Sequence, residues 1–176
     1  MGAGKSSVGR VLGSQLGWIF EDLDDRIERR EKRKVWQIFR DTGESGFRRA
    51  EHAALKESLL EMRSGSAKVL ALGGGAFGRK NNAALIRAAK VRTVFLDAEV
   101  RELWQRCRQQ AEGHRVERPL LGSLESFAAL YRTRRPLYLT ASSRQETGGK
   151  TIPQIAAEVI QSLGLERCPG KRGKNW

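Results

Sequence analysis

The sequence contains few cysteines and no long apolar run. Its two cysteines, Cys107 and Cys168, are far apart and neither has a nearby His or Cys, so nothing supports a disulfide framework or a zinc site. No stretch approaches the roughly 18 consecutive apolar residues of a membrane helix. The opening residues 1–5 do not resemble a signal peptide. We therefore expect a soluble cytoplasmic protein without membrane association.

Acidic residues are also scarce relative to basic ones. The chain has 33 Lys and Arg against 20 Asp and Glu, a net charge of +13, which favours anionic partners. Nucleic acid is one candidate, and ATP with an acidic small substrate is another. The basic clusters lack the interleaved aromatic residues of a platform for single-stranded nucleic acid. These clusters are Arg26–Lys34, Arg101–Arg108, Arg132–Arg135 and Arg167–Lys174.

The chain length of 176 residues suits one compact domain, which we assign to residues 1–165. Apolar runs predict strands at Trp18–Phe20, Lys68–Leu72 and Val91–Leu96, with helical segments between them. This alternation predicts an α/β fold, a three-layer parallel sheet with helices on both faces. Residues 166–176 are expected to be a basic, disordered tail.

The helical segments are predicted from periodicity and from caps. Residues 111–123 between two of them are polar and are predicted to be a mobile loop. The predicted helices are Lys5–Leu16, Asp25–Arg33, Val35–Asp41, Ser45–Met62, Asn81–Ala89, Glu99–Gln110, Leu124–Arg135 and a last one capped by Thr151.

The first residues carry the second half of a phosphate-binding loop. Gly4-Lys5-Ser6, with Gly2 before it, matches the end of the pattern G-x-x-x-x-G-K-[ST]. In such a loop Lys5 reaches the β- and γ-phosphates and Ser6 ligates Mg²⁺, while backbone N–H groups cradle the phosphates. The predicted ATP-binding residues are Gly2, Ala3, Gly4, Lys5, Ser6 and Ser7.

That loop assignment has an alternative, a flexible N-terminus that happens to contain Gly and Lys. The register of the pattern places its first glycine two residues before Met1, and a P-loop also follows a strand. We therefore expect a chain that begins inside the motif and lacks the strand ahead of it, N-terminally truncated relative to a complete P-loop domain.

Two further groups follow predicted strands. Of Asp22 and Asp24, one carboxylate could hold Mg²⁺ through water while the other accepts a substrate hydroxyl, or both could simply cap the next helix. Gly73–Gly75 allows close approach of a ligand to the backbone, or forms a plain tight turn. In a parallel sheet ligands bind beyond the carboxyl ends of the strands, so we expect these groups to converge at one edge.

The order of motifs resembles the shikimate kinase family from residue 1 to about residue 165. The residues that carry the resemblance are Phe20-x-Asp22-x-Asp24-x-x-Ile27-Glu28, Ile38-Phe39-x-x-x-Gly43-Glu44-x-x-Phe47-Arg48-x-x-Glu51, Gly73–Gly75, Arg118-Pro119-Leu120-Leu121 and Arg134-x-Pro136-Leu137-Tyr138. The resemblance implies a P-loop kinase with a mobile lid at 111–123. It also implies MgATP-dependent phosphorylation of the shikimate 3-hydroxyl in aromatic amino-acid (chorismate) biosynthesis.

The resemblance also implies roles for individual residues. Asp24, Arg48, Gly74 and Arg134 would hold shikimate, whose carboxylate two arginines can clamp. Lys5, Asp24 and Arg118 would be catalytic, with Arg118 contacting the transferring phosphate and ATP from the lid. Ser6 and Asp22 would hold Mg²⁺. We expect a monomer with shikimate and ATP as its partners.

Two alternatives remain at this point: a kinase for another small acceptor such as gluconate, and a non-catalytic basic protein that binds nucleic acid. One departure from the family concerns the segment before the last helix. The family has a short apolar strand there, whereas residues 141–147 are polar. We expect this edge strand to be weak or missing.

Overall fold

The computed structural model describes residues 2–114 and 123–167. Strands and helices alternate along this part of the chain, as the sequence predicts. Their order is α1 (Lys5–Leu16), β1 (Ile19–Asp22), α2 (Leu23–Glu31), α3 (Val35–Arg63), β2 (Lys68–Ala71), α4 (Lys80–Ala89), β3 (Val94–Asp97), α5 (Val100–His114), α6 (Leu124–Tyr138), β4 (Ser143–Glu146) and α7 (Ile152–Leu163).

The described strands form two separate parallel pairs. β1 pairs with β2 in a register that aligns Ile19 with Lys68 and Asp22 with Ala71. β3 pairs with β4, and within the described ranges no ladder joins the two pairs. The predicted parallel α/β class is confirmed, with the strands divided between two sheets.

Local sequence explains where several helices begin and end. The carboxylate of Asp22 caps α2 by accepting a hydrogen bond from the backbone N–H of Asp24. Thr151 and Gln154 form a capping box at the start of α7. α3 contains the two segments that the sequence predicted as separate helices, because the backbone at Gly43 is non-helical (φ 66°, ψ −174°).

Apolar side chains form two clusters on different parts of the molecule. The first joins α1, β3, α5, α6 and α7, and the second joins α2, α3 and α4 with the segment after β2. Phe127 and Leu103 are fully buried in the first, and Leu55 and Ile27 in the second. The first cluster packs against Val69 of β2 as well as Val94 and Phe95 of β3, so it supports strands of both pairs, and the second packs against Leu70 of β2.

The structure corrects two expectations. Residues 143–146 form strand β4, so the edge strand that we expected to be weak or missing is present. Its polar side chains are satisfied: the buried Gln145 donates to Glu158, and Thr147, just beyond β4, donates to the carbonyl oxygen of Asp97 at 3.0 Å. Helix α5 also continues to His114, so residues 111–114 belong to a helix and not to the predicted loop.

None of the helices in the described ranges combines the length and the apolar character needed to cross a membrane. Residues 115–122 and 168–176 lie outside those ranges. The predicted lid and the predicted tail therefore fall largely outside what the structure describes.

Candidate active site

The glycine-rich start of the chain forms a loop at the N-terminus of α1. Gly2 (φ 63°) and Gly4 (φ 76°) both adopt left-handed backbone conformations, and Gly4 is the N-cap of α1. Gly2 also lies against α5, where a Cβ atom would overlap the carbonyl oxygen of Leu103. The first N–H groups of α1 have no intrahelical partners, so this helix start suits a phosphate group.

Lys5 begins α1 and is half-buried beside the acidic residues that follow β1. Burial of its ammonium group lowers the pKa of Lys5, while the charges of Asp22 and Asp24 oppose that shift. A cation that has lost hydration in this way gains more from an arriving phosphate than a fully hydrated one does. Lys5 is therefore well placed for a nucleotide phosphate.

Asp22 uses its two carboxylate oxygens for different tasks. Oδ1 accepts the backbone N–H of Asp24 at 3.0 Å, which caps α2. Oδ2 accepts the Ser6 hydroxyl at 2.6 Å, which joins the phosphate loop to the end of β1. Asp22 therefore does cap the next helix, as one of the two interpretations of the sequence predicted. The cap uses only one oxygen, so the other is still in contact with Ser6.

Asp24 lies in the first turn of α2 and faces the triple-glycine segment. A Cβ atom on Gly73 would lie 3.2 Å from Asp24 Oδ1. Asp24 is exposed to solvent, but the surrounding protein removes much of the hydration of its carboxylate. This desolvation, followed by the negative charges of Asp22 and Glu51, raises the pKa of Asp24 to about 6.

Arg48 lies on α3 at the other side of the triple-glycine segment. Its Nη1 donates to Glu51 Oε1 at 2.9 Å, and a Cβ atom on Gly75 would lie 3.1 Å from the same nitrogen. Glu51 is buried, and its Oε2 has no hydrogen-bond partner among the described residues. Burial raises the pKa of Glu51 although the charge of Arg48 opposes the shift. Arg48 Nε also donates to Glu44 Oε1 at 3.2 Å, so two acidic residues of α3 orient its guanidinium group.

Arg134 and Tyr138 reach the same glycine segment from α6. Arg134 Nη1 donates to the carbonyl oxygen of Gly74 at 3.4 Å, and the Tyr138 hydroxyl donates to the same oxygen. Tyr138 also packs its ring against Phe95 of β3, with centroids 5.3 Å apart. Helix α6 is therefore fixed to the backbone of Gly74.

The structure brings the predicted residues of the described ranges to one edge of the strands. Ser6 and Asp22 are in contact, Lys5 is close enough to Asp24 for their charges to interact, and Gly73–Gly75 links Asp24 to Arg48 and Arg134. In the loop Ala3 is buried and Ser7 is exposed. Arg118 lies outside the described residues.

Sequence reasoning gave no role to Glu51 and Tyr138, although both belong to quoted motifs. Glu51 orients Arg48, and Tyr138 anchors Gly74. The sequence could have indicated both, because Glu51 follows Arg48 by three residues and Tyr138 follows Arg134 by four, which places each pair on one face of a helix.

The hydroxyl of Ser6 and the carboxylate of Asp22 are hard oxygen donors suited to Mg²⁺. No group of three or more His, Cys, Asp or Glu side chains within 2–114 and 123–167 is arranged to hold a metal alone. A magnesium ion here would take its other ligands from phosphate oxygens and water, as this ion usually does beside nucleotides. The residues present therefore fit the ion.

A glycine loop at a helix start, a half-buried lysine, and a carboxylate and two arginines around one glycine segment are the features of a P-loop kinase for a small acceptor. Comparison with known proteins gives the family. The shikimate kinase family model matches residues 1–164, and the chain belongs to that family.

Several relatives have similar sequences over most of their length. A shikimate kinase from Symbiobacterium thermophilum is 38% identical over 177 residues, which cover 98% of this chain and 95% of the relative. One from Cereibacter sphaeroides is 39% identical over 166 residues, or 93% of this chain and 78% of the relative. The chain is a small-molecule kinase with ATP as co-substrate.

Solved structures show the same fold. Shikimate kinase from Acinetobacter baumannii in complex with shikimate superposes with a TM-score of 0.77 at 33% identity, covering 93% of this chain and 88% of that one. Shikimate kinase from Bacteroides thetaiotaomicron gives a TM-score of 0.78 at 27% identity, covering 94% of both chains.

Proposed function

We propose that this chain transfers the γ-phosphate of ATP to the 3-hydroxyl of shikimate, within aromatic amino-acid biosynthesis. The observation that carries the proposal is the convergence of a phosphate loop, Asp24 and two arginines around Gly73–Gly75. The loop suits a nucleotide, and the arginines suit an acid that also presents a hydroxyl to Asp24.

The acid end of the substrate would bind between Arg48 and Arg134. Charge-assisted hydrogen bonds from two guanidinium groups hold a carboxylate in a defined orientation. Glu51 supports this arrangement because its buried carboxylate fixes one end of Arg48. The backbone of Gly74 would line the same pocket.

The reacting hydroxyl would meet Asp24. Asp24 is the one of the two aspartates whose side chain accepts no hydrogen bond from the described residues, so it can accept the hydroxyl proton. Its pKa of about 6 makes it a stronger base than an ordinary aspartate and leaves it mostly ionised at neutral pH.

The phosphate end would be stabilised by Lys5, the N–H groups of the loop and Mg²⁺. The ion, held by Ser6 and Asp22, would neutralise charge on the transferring phosphoryl group. Ala3 and Ser7 complete the proposed ATP contacts with Gly2 and Gly4. We also propose that the enzyme is a monomer of the cytoplasm.

From the sequence alone, we propose that Arg118 contacts ATP and the phosphoryl group during its transfer. Arg118→Ala should lower kcat by orders of magnitude and leave the thermal midpoint unchanged, because the contact matters mainly in the transition state. Arg118→Lys should restore part of the rate, since an ammonium lacks the bidentate fork. Near-normal turnover by Arg118→Ala would remove it from the mechanism.

The test of the whole proposal is a coupled assay of ADP release with shikimate or gluconate as acceptor. We expect turnover that depends on shikimate and on Mg²⁺, with phosphate found on the 3-hydroxyl by NMR. Turnover with gluconate alone would assign another acceptor. Tight, steeply salt-dependent binding of nucleic acid without ATP turnover would support the non-catalytic alternative.

A further inference from the structure

A buried carboxylate at the end of β3 contacts the helix that carries Arg134. Asp97 is the last residue of β3, and its side chain is 3% exposed. Its Oδ1 accepts a hydrogen bond from the Tyr131 hydroxyl, and its Oδ2 accepts one from Arg135 Nη2 at 3.0 Å. Both donors belong to α6. One side chain therefore attaches α6 to the carboxyl end of β3.

Asp97 is itself held firmly at this place. Burial opposes ionisation of its carboxyl group, but hydrogen bonds from Tyr131 and Arg135 outweigh burial and lower the pKa of Asp97. Hydrogen bonds to an ionised acceptor are stronger than those between neutral groups. The main-chain carbonyl oxygen of Asp97 also accepts the backbone N–H of Thr147 at 2.8 Å and the Thr147 hydroxyl at 3.0 Å. Both the side chain and the backbone of Asp97 are thus fixed.

Helix α6 needs an attachment at this point because it contains Pro136. A proline inside a helix removes one backbone hydrogen bond and disfavours the helical conformation of the residue before it. That residue is Arg135, which is nevertheless helical. Its ion pair with Asp97 stabilises a turn that the local sequence disfavours.

Arg134 lies in the same turn, between the two residues of α6 that bind Asp97. Residues 131, 134 and 135 are three and four positions apart, so their side chains leave the same side of the helix. Arg134 Nη1 donates to the carbonyl oxygen of Gly74 at 3.4 Å, which is longer than the usual range of about 2.7–3.2 Å and indicates a weak hydrogen bond. This contact alone does not fix the Arg134 guanidinium group, so the position of that group depends on how α6 is placed.

A second arginine contacts the same oxygen of Asp97 from a different element. Arg144 of β4 donates from Nε to Asp97 Oδ2 at 2.9 Å, and Arg135 of α6 donates to it at 3.0 Å. Their side chains are 46% and 36% exposed. The two arginines therefore give Asp97 similar charge, but only Arg135 connects it to the helix of Arg134. This pair offers a matched control.

We propose that Asp97 is a positioning residue, which holds α6 so that Arg134 is placed for the acid group of the acceptor. It acts through Arg135 and Tyr131. The inference rests on the proposed function, because it takes Arg134 as a ligand of that acid group. Asp97 itself is too deeply buried to contact the acceptor. Its effect is to hold the helix in place before the acceptor binds, which lowers the cost of ordering the site.

The test compares the steady-state kinetics of Arg135→Gln and Arg144→Gln, with shikimate and ATP varied separately. Both substitutions are at partly exposed partners of Asp97, so they leave the folded structure intact. Arg135→Gln should raise the KM for shikimate about three- to tenfold, because a displaced ligand loses part of its contact. The kcat and the KM for ATP should change little, since Arg134 would hold the acid group equally in the ground state and the transition state. Arg144→Gln should change the KM for shikimate by less than about twofold.

Amide exchange of α6, measured without nucleotide or acceptor, gives a readout that does not depend on turnover. Arg135→Gln should speed exchange at residues 137–139 at least about threefold, and Arg144→Gln should leave it unchanged. Tyr131→Phe, which removes the other donor of α6, should act in the same direction as Arg135→Gln. Equal KM increases for the two arginine variants, with equal exchange in α6, would show that Asp97 only stabilises the fold and would overturn the inference.

A double variant separates this inference from the proposed function. If Arg134→Ala raises the KM for shikimate, adding Arg135→Gln should raise it no further, because the effect of Arg135 passes through Arg134. A further increase in the double variant would show that Arg135 binds the acid group itself, and would overturn the inference alone. An Arg134→Ala protein with an unchanged KM would overturn the proposed acid pocket, and the inference with it.

Discussion

Glu21 and Asp24, three residues apart at the end of β1, lie in opposite electrostatic surroundings. Lys68 donates to Glu21 at 2.8 Å, Ser58 donates to it at 2.9 Å and Arg26 reaches it at 3.0 Å. Burial opposes ionisation of Glu21, but these donors outweigh it and hold its pKa below the usual value. Asp24 lacks such donors among the described residues, and its pKa is raised to about 6.

The contrast separates a carboxylate that stabilises the fold from one that is left available for substrate. Glu21 has its charge neutralised by the protein, so it has little capacity for a ligand. Asp24 is desolvated and lies near other negative charges, so binding a proton or accepting a hydrogen bond from a hydroxyl stabilises it. A desolvated carboxylate without hydrogen-bond donors is unfavourable in the free protein. Such a group is expected in a site that binds a ligand, and not in one that only stabilises the fold.

The largest effect should come from Asp24→Asn. We expect kcat with shikimate to fall by about 10²–10⁴-fold because the general base is lost. The thermal midpoint should stay the same or rise slightly, since repulsion from Asp22 and Glu51 disappears. Asp25→Asn, at the exposed neighbouring position, is the control and should keep full turnover. If the Asp24→Asn protein is less stable and keeps normal turnover, Asp24 stabilises the fold and does not serve the substrate.

The next largest effect is expected at Glu21, and it is a loss of stability. Glu21→Gln leaves Lys68, which is 4% exposed, with only the half-exposed Glu61 as its acidic partner, and we expect a loss of at most about 3–5 kcal/mol in the free energy of unfolding. The folded fraction should keep its turnover. Glu57→Gln, at an acid that is 46% exposed, is the control and should cost less than about 1 kcal/mol.

Urea unfolding followed by circular dichroism measures both variants. A double variant, Glu21→Gln with Lys68→Met, should recover part of the stability because it removes a buried charge whose remaining partner, Glu61, is half-exposed. Equal losses for Glu21→Gln and Glu57→Gln would show that burial of the Glu21 pair is not what matters.

A smaller effect is expected at the arginines. Arg48→Ala and Arg134→Ala should each weaken shikimate binding by about ten- to a hundredfold, as a charge-assisted hydrogen bond is worth about 1.5–3 kcal/mol. ATP binding should change little. Arg49→Ala, at the exposed residue beside Arg48, should affect neither ligand. Calorimetry that finds equal losses for both ligands would remove these arginines from the acid pocket.

The smallest effect is a dependence of stability on acid pH. Hydrogen bonds from Arg26 and Lys68 lower the pKa of Glu61 to about 2 from an ordinary 4.5, and the pKa of Glu21 is lowered as well. Their stabilisation is full above about pH 5 and is lost as the pH falls toward about 2. The urea midpoint should decrease over that window, and Glu21→Gln should flatten the decrease. A urea midpoint that does not change with pH in the unchanged protein would contradict this prediction.

The sequence predicted the phosphate loop, the aspartates and the alternation of strands and helices because these depend on neighbouring residues. The Glu21 cluster was not predicted, since Ser58 and Lys68 lie 37 and 47 residues away from Glu21. Strand β4 was misjudged for the same reason. Its polar residues lack the apolar pattern of a strand, and their partners come from distant segments of the chain.

The division of the strands into two pairs was likewise outside what local patterns could predict. β2 and β3 each look like buried strands, with apolar runs that imply neighbours on both sides. Which neighbours a strand has depends on how the whole chain is arranged, so only the structure shows that the described part of the chain leaves one edge of each unpaired.

The attachment of α6 to Gly74 has a consequence for how sequences of this kind can diverge. Arg134 and Tyr138 both donate to a main-chain carbonyl oxygen, and every amino acid carries that oxygen. A point mutation at position 74 can therefore crowd the contact but cannot delete its acceptor. Loss of one of these hydrogen bonds by removal of a side-chain group therefore arises at positions 134 and 138, and a survey of natural variants should find the connection altered mainly from the helix side.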